Sequence, residues 1–102
     1  MNEPLRFHRL VPDDLAAAIR WYTGISPTLA DRFRTEIGLA FDRILANPLM
    51  YAQDTNGLRY AHVATFPYLI QYSAQGPTPL IIGVYHASSD PAKWRERIRL
   101  TR

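Results

Sequence analysis

The chain has 102 residues, 47% of them apolar and 21% charged, which excludes a disordered polymer and suits one core spanning a single domain over residues 1–102. It contains no cysteine, so disulfides, thiolate metal sites and a cysteine nucleophile are excluded. The net charge of +3 is unevenly placed: residues 1–92 carry seven Arg against eight Asp or Glu, whereas residues 93–102 carry Lys93, Arg95, Arg97, Arg99 and Arg102 against Glu96 alone. A short basic end of this kind meets phosphate, an acidic protein or only water.

Leu5 to Leu10 alternates Leu5 and Phe7 with Arg6 and His8, which predicts a short strand. Pro12-Asp13-Asp14 opens a helix, because proline suits the first turn and carboxylates there complement the helix dipole. The two aspartates read as an acidic first turn, not as a catalytic pair. Leu15, Ile19 and Tyr22 form the apolar stripe of this helix, and Gly24 is expected to end it. Ser26-Pro27 then restarts the chain as N-cap and first helical residue. Leu29, Phe33, Ile37, Phe41 and Ile44 make a nearly straight stripe up to Asn47-Pro48, where proline disfavours helical geometry in the residue before it. A short link between two amphipathic helices predicts an antiparallel hairpin.

Beyond a loop over residues 51–57 the period changes to two. Arg59, Ala61 and Val63 oppose Tyr60 and His62, and Tyr68, Ile70 and Tyr72 oppose Leu69 and Gln71. Leu80 to Tyr85 is a continuous apolar run, as expected of a strand central in a sheet. Asp90-Pro91 caps a last short helix with Trp94 and Ile98 on one side. The sum is an α+β fold: an N-terminal strand, an antiparallel helical hairpin packed on a mostly antiparallel four-stranded sheet, and a short C-terminal helix. No apolar run reaches the ~20 residues that span a bilayer, and Met1 to Leu10 holds no apolar signal core, so the expectation is a cytoplasmic protein with no membrane contact. No Gly-rich phosphate loop or metal-spaced His/carboxylate cluster is visible, and no cofactor or metal is expected.

Several segments carry a resemblance. Ala18-Ile19-Arg20-Trp21-Tyr22, then Arg32-Phe33-Arg34 with Ile44-Leu45-Ala46-Asn47-Pro48, then Gly57-Leu58-Arg59 leading to Phe66-Pro67-Tyr68-Leu69-Ile70-Gln71-Tyr72, and last Val84-Tyr85-His86 with Asp90-Pro91, Trp94 and Arg97 resemble, in order and spacing, the ParE/RelE toxin superfamily of type II toxin–antitoxin systems, closer to the ParE branch. Tyr60 stands where members often carry a second basic residue, and Ser89 where arginine commonly precedes the Asp-Pro pair.

The resemblance implies a plasmid-stabilisation toxin that inhibits growth by binding DNA gyrase, is neutralised by a cognate antitoxin, and oligomerises through it. On that resemblance it is expected to act by contact, without chemistry of its own, and not as an enzyme. Target-binding candidates are Arg59, Tyr60, Trp94, Arg95, Arg97 and Arg99, since arginine and aromatic residues anchor interfaces. Trp94 also fits a lid over the sheet, and Arg59 an ion pair with Asp90 or Glu96. Trp21, offset from the first helix's stripe, is the antitoxin-binding candidate. The alternative from the RelE branch is a metal-free endoribonuclease acting on ribosome-bound mRNA, with Arg59 as cation and His86 as general base. His86 equally suits a strand-end residue bonding the turn backbone. A third reading, prompted by Tyr60 and Ser89, is an attenuated toxin that only binds its antitoxin.

Overall fold

The computed structural model describes residues 5–101, so Arg102 of the basic end lies outside the described residues. The elements run β1 (Arg6–Phe7), α1 (Val11–Ile25), α2 (Pro27–Ala46), β2 (Arg59–His62), β3 (Tyr68–Ser73), β4 (Leu80–His86) and α3 (Pro91–Thr101). The strands form one sheet in the order β1-β4-β3-β2, with β1 parallel to β4 and the other pairs antiparallel. This is the α+β architecture expected, and β4 is an interior strand as its apolar run implies.

Two boundaries differ from the sequence reading, each for a local reason. Strand β1 is only two residues long, because the His8 ring Nδ1 accepts the Leu10 N–H at 3.1 Å and the His8 carbonyl accepts the Val11 N–H at 3.0 Å. Those bonds turn the chain off the sheet and into α1. Helix α1 also runs through Gly24 to Ile25. The break falls at Ser26, which is extended (φ −166°, ψ 129°) because Pro27 follows it. The same Ser26 caps α2, its hydroxyl accepting the Leu29 N–H at 3.4 Å.

The hairpin covers one sheet face. Val11, Ala18 and Tyr22 of α1 and Ala30, Phe33, Ile37, Ala40 and Ile44 of α2 are buried in one cluster with Ala61, Val63, Ile70, Tyr72, Ile81 and Val84. Tyr22, Phe33, Phe66 and Tyr68 meet edge-on or tilted, with ring centroids 5.0–6.2 Å apart, a geometry that adds to simple area burial.

An irregularity in β4 decides what the opposite face receives. Gln71 pairs with Gly83 but Tyr72 pairs with Ile81, so Ile82 is an extra residue, a β-bulge. Ile81 and Val84, three apart, can therefore both join the hairpin-side core. Ile82 instead lines a pocket with Ile98 of α3, and Gly83 and Tyr85 lie on α3's side of the sheet.

Candidate functional site

Gln71 is a fully buried polar residue in the middle of β3, and its amide must find partners there. Tyr85 Oη donates to Gln71 Oε1 at 3.1 Å, Gln71 Nε2 donates to Tyr60 Oη at 3.1 Å, and Tyr60 Oη donates to Asp54 Oδ2 at 3.0 Å. The other Asp54 oxygen accepts the N–H groups of Asn56 at 2.8 Å and Leu58 at 3.0 Å. The result is a directional chain from β4 across the sheet to the loop before β2. Among the described residues no buried side-chain polar atom lacks a partner. The chain depends on Gly83. A Cβ there would lie 2.2 Å from the Tyr85 ring and hydroxyl, so the glycine lets the ring lie flat on the strand.

Helix α3 is seated on that ring. The Trp94 indole stacks on Tyr85 with centroids 5.0 Å apart and 10° between planes, and its Nε1–H donates to Ser89 Oγ at 2.9 Å. Ser89 in turn donates to the His86 carbonyl at 2.6 Å. Arg97 lies 5.2 Å from the Tyr85 ring centre and forks onto Asp14, with Nη2 to Oδ1 at 3.0 Å and Nη1 to Oδ2. Asp14 thus does more than dress the first turn of α1: it ties α1 to α3 and accepts the Val84 N–H at 3.0 Å. Nothing in the sequence pairs two residues 83 positions apart.

Burial pushes the Tyr85 phenol up to about 12 from its ordinary 10 and also raises Tyr60. A folded-state pKa above the unfolded value means the fold favours the protonated ring. This contribution is complete below pH 10 and is lost as the pH rises through about 12. Stability measured by urea titration should therefore fall between pH 10 and 12, and Tyr85→Phe should flatten that fall. An equal slope in both proteins would contradict this placement of the charge cost.

The candidates named from sequence separate into two groups. Tyr60, 6.1 Å from Trp94, and the exposed Arg95 and Arg99 gather on and beside α3, with Arg99 paired to Glu96. Trp21, 66% exposed, borders an open cleft of about 510 Å³ together with His86, Trp94 and Arg97. Arg59 makes no ion pair with Asp90 or Glu96. Its Nη1 donates instead to the carbonyls of Leu49, at 3.3 Å, and Tyr51, fixing the loop before β2. His86 has the strand-end arrangement, its Nδ1 accepting the Ser88 N–H at 3.1 Å with the Ser88 hydroxyl 2.7 Å away. Arg59 sits opposite Tyr72 and His86 opposite Tyr68, so they are four residues, roughly 13 Å, apart along β3. The structure does not bring that pair together. Among the described residues no group of three or more His, Asp or Glu is placed to hold a metal ion, and no helix is long and apolar enough to cross a membrane.

The family model described as ParE toxin of type II toxin-antitoxin system, parDE, matches residues 5–91. The chain belongs to the ParE toxin family. A chain of the chromosomal ParDE TA system from P. aeruginosa has the same fold, with a TM-score of 0.72 and 18% identity over 82% of this chain and 95% of that one. A comparison with curated proteins gave no match. The matched segment of this ParE toxin holds the hairpin and the sheet and ends at the first residue of α3. Asp14, Tyr60 and Tyr85 are thus family-segment residues against which Arg97 and Trp94 of α3 are placed, and Asp54 and Gln71, in the same segment, hold the two tyrosines. Asp54, Gln71 and Gly83 were missed by sequence reasoning. A glutamine inside Leu69-Ile70-Gln71-Tyr72, and a glycine two places before a tyrosine on one strand face, are the signals that point to them.

Proposed function

We propose that this ParE toxin inhibits growth by binding DNA gyrase through the α3 face and is neutralised by an antitoxin that engages the Trp21 side of α1. The observation that carries this reading is the seating of α3. With Trp94 stacked on Tyr85 and Arg97 forked onto Asp14, the helix is held in one place and offers Arg95 and Arg99 to solvent beside the edges of Trp94 and Tyr60. A preordered surface of arginine and aromatic groups binds with less entropic loss than a loose tail. Arg59 and Arg97 act as its supports, holding the β2 loop and α3.

The ribonuclease reading has less to draw on. Metal-free cleavage needs a base and a cation within a few ångströms of one phosphate. Arg59 is committed to two carbonyls and His86 to the Ser88 turn, at separate places along the sheet. Exposed Trp21 and Ile25 line a second, mostly apolar groove with Ala17, Gly24 and Arg20, which suits an amphipathic helical antitoxin segment laid along α1.

Charge reversal separates target contact from fold. Arg95→Glu with Arg99→Glu changes two exposed side chains, so the protein should fold and bind antitoxin while growth inhibition falls at least tenfold in colony counts after induction. Undiminished toxicity of that double variant would sink the assignment to α3.

A further inference from the structure

On the far side of α3 from Asp14, the sheet and the loop before β2 leave a hollow. Leu58, Leu80, Ile82 and Ile98 wall a pocket of about 180 Å³ there, with Asn56, Ser73 and Gln75 around its edge. Leu58 and Ile82 are buried, but Leu80 and Ile98 are only half-buried and keep apolar surface toward the opening. A second, more open hollow of about 200 Å³ adjoins it at Asn56 and Ile98 and is lined by Arg95 and Arg99. Both walls are fixed in advance. On the loop side, Asp54 Oδ1 accepts the Asn56 and Leu58 N–H groups, and the Gly57 N–H reaches the Asp54 carbonyl at 3.0 Å. Gly57 has φ 80°, a conformation that favours glycine. On the other side, α3 is held by Trp94 and Arg97. A preformed hollow of this kind costs little ordering when it is filled.

Its size and lining select the occupant. The apolar pocket is smaller than the roughly 300–1,000 Å³ of small-molecule sites, so it takes one side chain and not a nucleotide. Among the described residues no aromatic ring lines either hollow, so a nucleic-acid base finds nothing there to stack on. No Asp or Glu lines them either. Arg95 makes no ion pair among the described residues, and the Arg99–Glu96 pair is exposed on the helix surface, where such a pair is worth little and exchanges readily. Arg95 and Arg99 are one helical turn apart on the same face, beside an aliphatic pocket.

We propose that this hollow seats one aliphatic side chain of the target protein, flanked by carboxylates that pair with Arg95 and Arg99. The proposal rests on the reading of α3 as the target-binding face and names the surface that face recognises: protein, aliphatic and acidic, not the phosphates of bound DNA. The aliphatic side chain acts as a pocket-filling anchor, and the arginines at the rim supply charge complementarity that orients it. Asp54, through the Asn56 and Leu58 N–H groups, is then a positioning residue for one wall of the seat.

The test is binding of purified DNA gyrase holoenzyme to the full chain, measured with and without DNA. The wild-type chain should bind gyrase without DNA, because the seat takes a protein side chain. Asn56→Trp sets an indole in the mouth of both hollows and should weaken binding at least tenfold, as loss of a pocket anchor does. Ile98→Ala removes the α3 wall of the seat and should weaken binding in the same direction, which keeps the test decisive if the tryptophan variant does not fold. Amide NMR spectra check that each variant is folded. Arg95→Gln with Arg99→Gln should flatten the fall of affinity with added salt, since the paired charges are gone. Wild-type affinity in a folded Asn56→Trp or Ile98→Ala chain, an unchanged salt dependence in the glutamine variant, or wild-type binding that requires DNA overturns the seat and leaves gyrase binding standing. No binding of gyrase in either condition overturns both.

Discussion

Replacing Gly83 by alanine should destabilise the protein by about 3 kcal/mol, combining the cost of overpacking with that of orphaning a buried polar group. The added methyl lies 2.2 Å from the Tyr85 ring and hydroxyl, far inside any tolerable contact. The obstruction is not the tip of a flexible chain: the ring is clamped between the strand and Trp94, with its hydroxyl on Gln71. If the ring moves, Gln71 Oε1 loses its donor in a fully buried position and Trp94 loses its stacking partner. The drop in melting temperature should be roughly 10–20 °C for a domain of this size. Near-UV circular dichroism should lose the tyrosine–tryptophan signal along with stability. A change under 0.5 kcal/mol in urea unfolding would show that Tyr85 does not lie where the network requires it.

Asp14→Ala should be nearly as costly, about 2–3 kcal/mol, since removing one member of a mostly desolvated pair strands the other charge. Asp14 and Arg97 side chains are 13% and 15% exposed, so water compensates little. The substitution also takes the acceptor from the Val84 N–H and the ion pair that joins α1 to α3. Its second signature is local: α3 amides should exchange faster than those of α2, whose contacts are untouched. Asp14→Ala combined with Arg97→Leu should recover part of the loss, because no buried charge is then left unpartnered. A double variant less stable than the two single losses summed would contradict the pairing.

How much of this was legible in the residues follows from the range of each interaction. Helix α2 declared itself through Leu29, Phe33, Ile37 and Ile44 and through the prolines at its two ends, because periodicity and proline sterics act within a few residues. Strand β4 was legible as central because an apolar run six residues long has to be covered on both faces. Gly24 misled, since its small propensity cost is outweighed by helix packing, while Pro27 imposes a steric limit on Ser26 that packing does not override. The site was less legible. Trp94 as a lid and His86 as a turn-bonded residue rest on interactions within a few residues, so sequence leaves both open as alternatives. The Asp14–Arg97 fork, the Gln71 relay and the bulge at Ile82 depend on strand order and register, which alternation does not specify.

Induced expression without antitoxin, followed by pulse labels for DNA and protein synthesis, tests the central claim most directly, with the Arg95→Glu/Arg99→Glu protein as control. DNA synthesis should fall first, with cleaved DNA accumulating, and the double variant should lose both effects. A first fall in protein synthesis would contradict the gyrase reading and return Arg59 and His86 to attention as catalytic groups. Continued synthesis of both would contradict it equally, leaving a ParE fold whose remaining role is to bind its antitoxin.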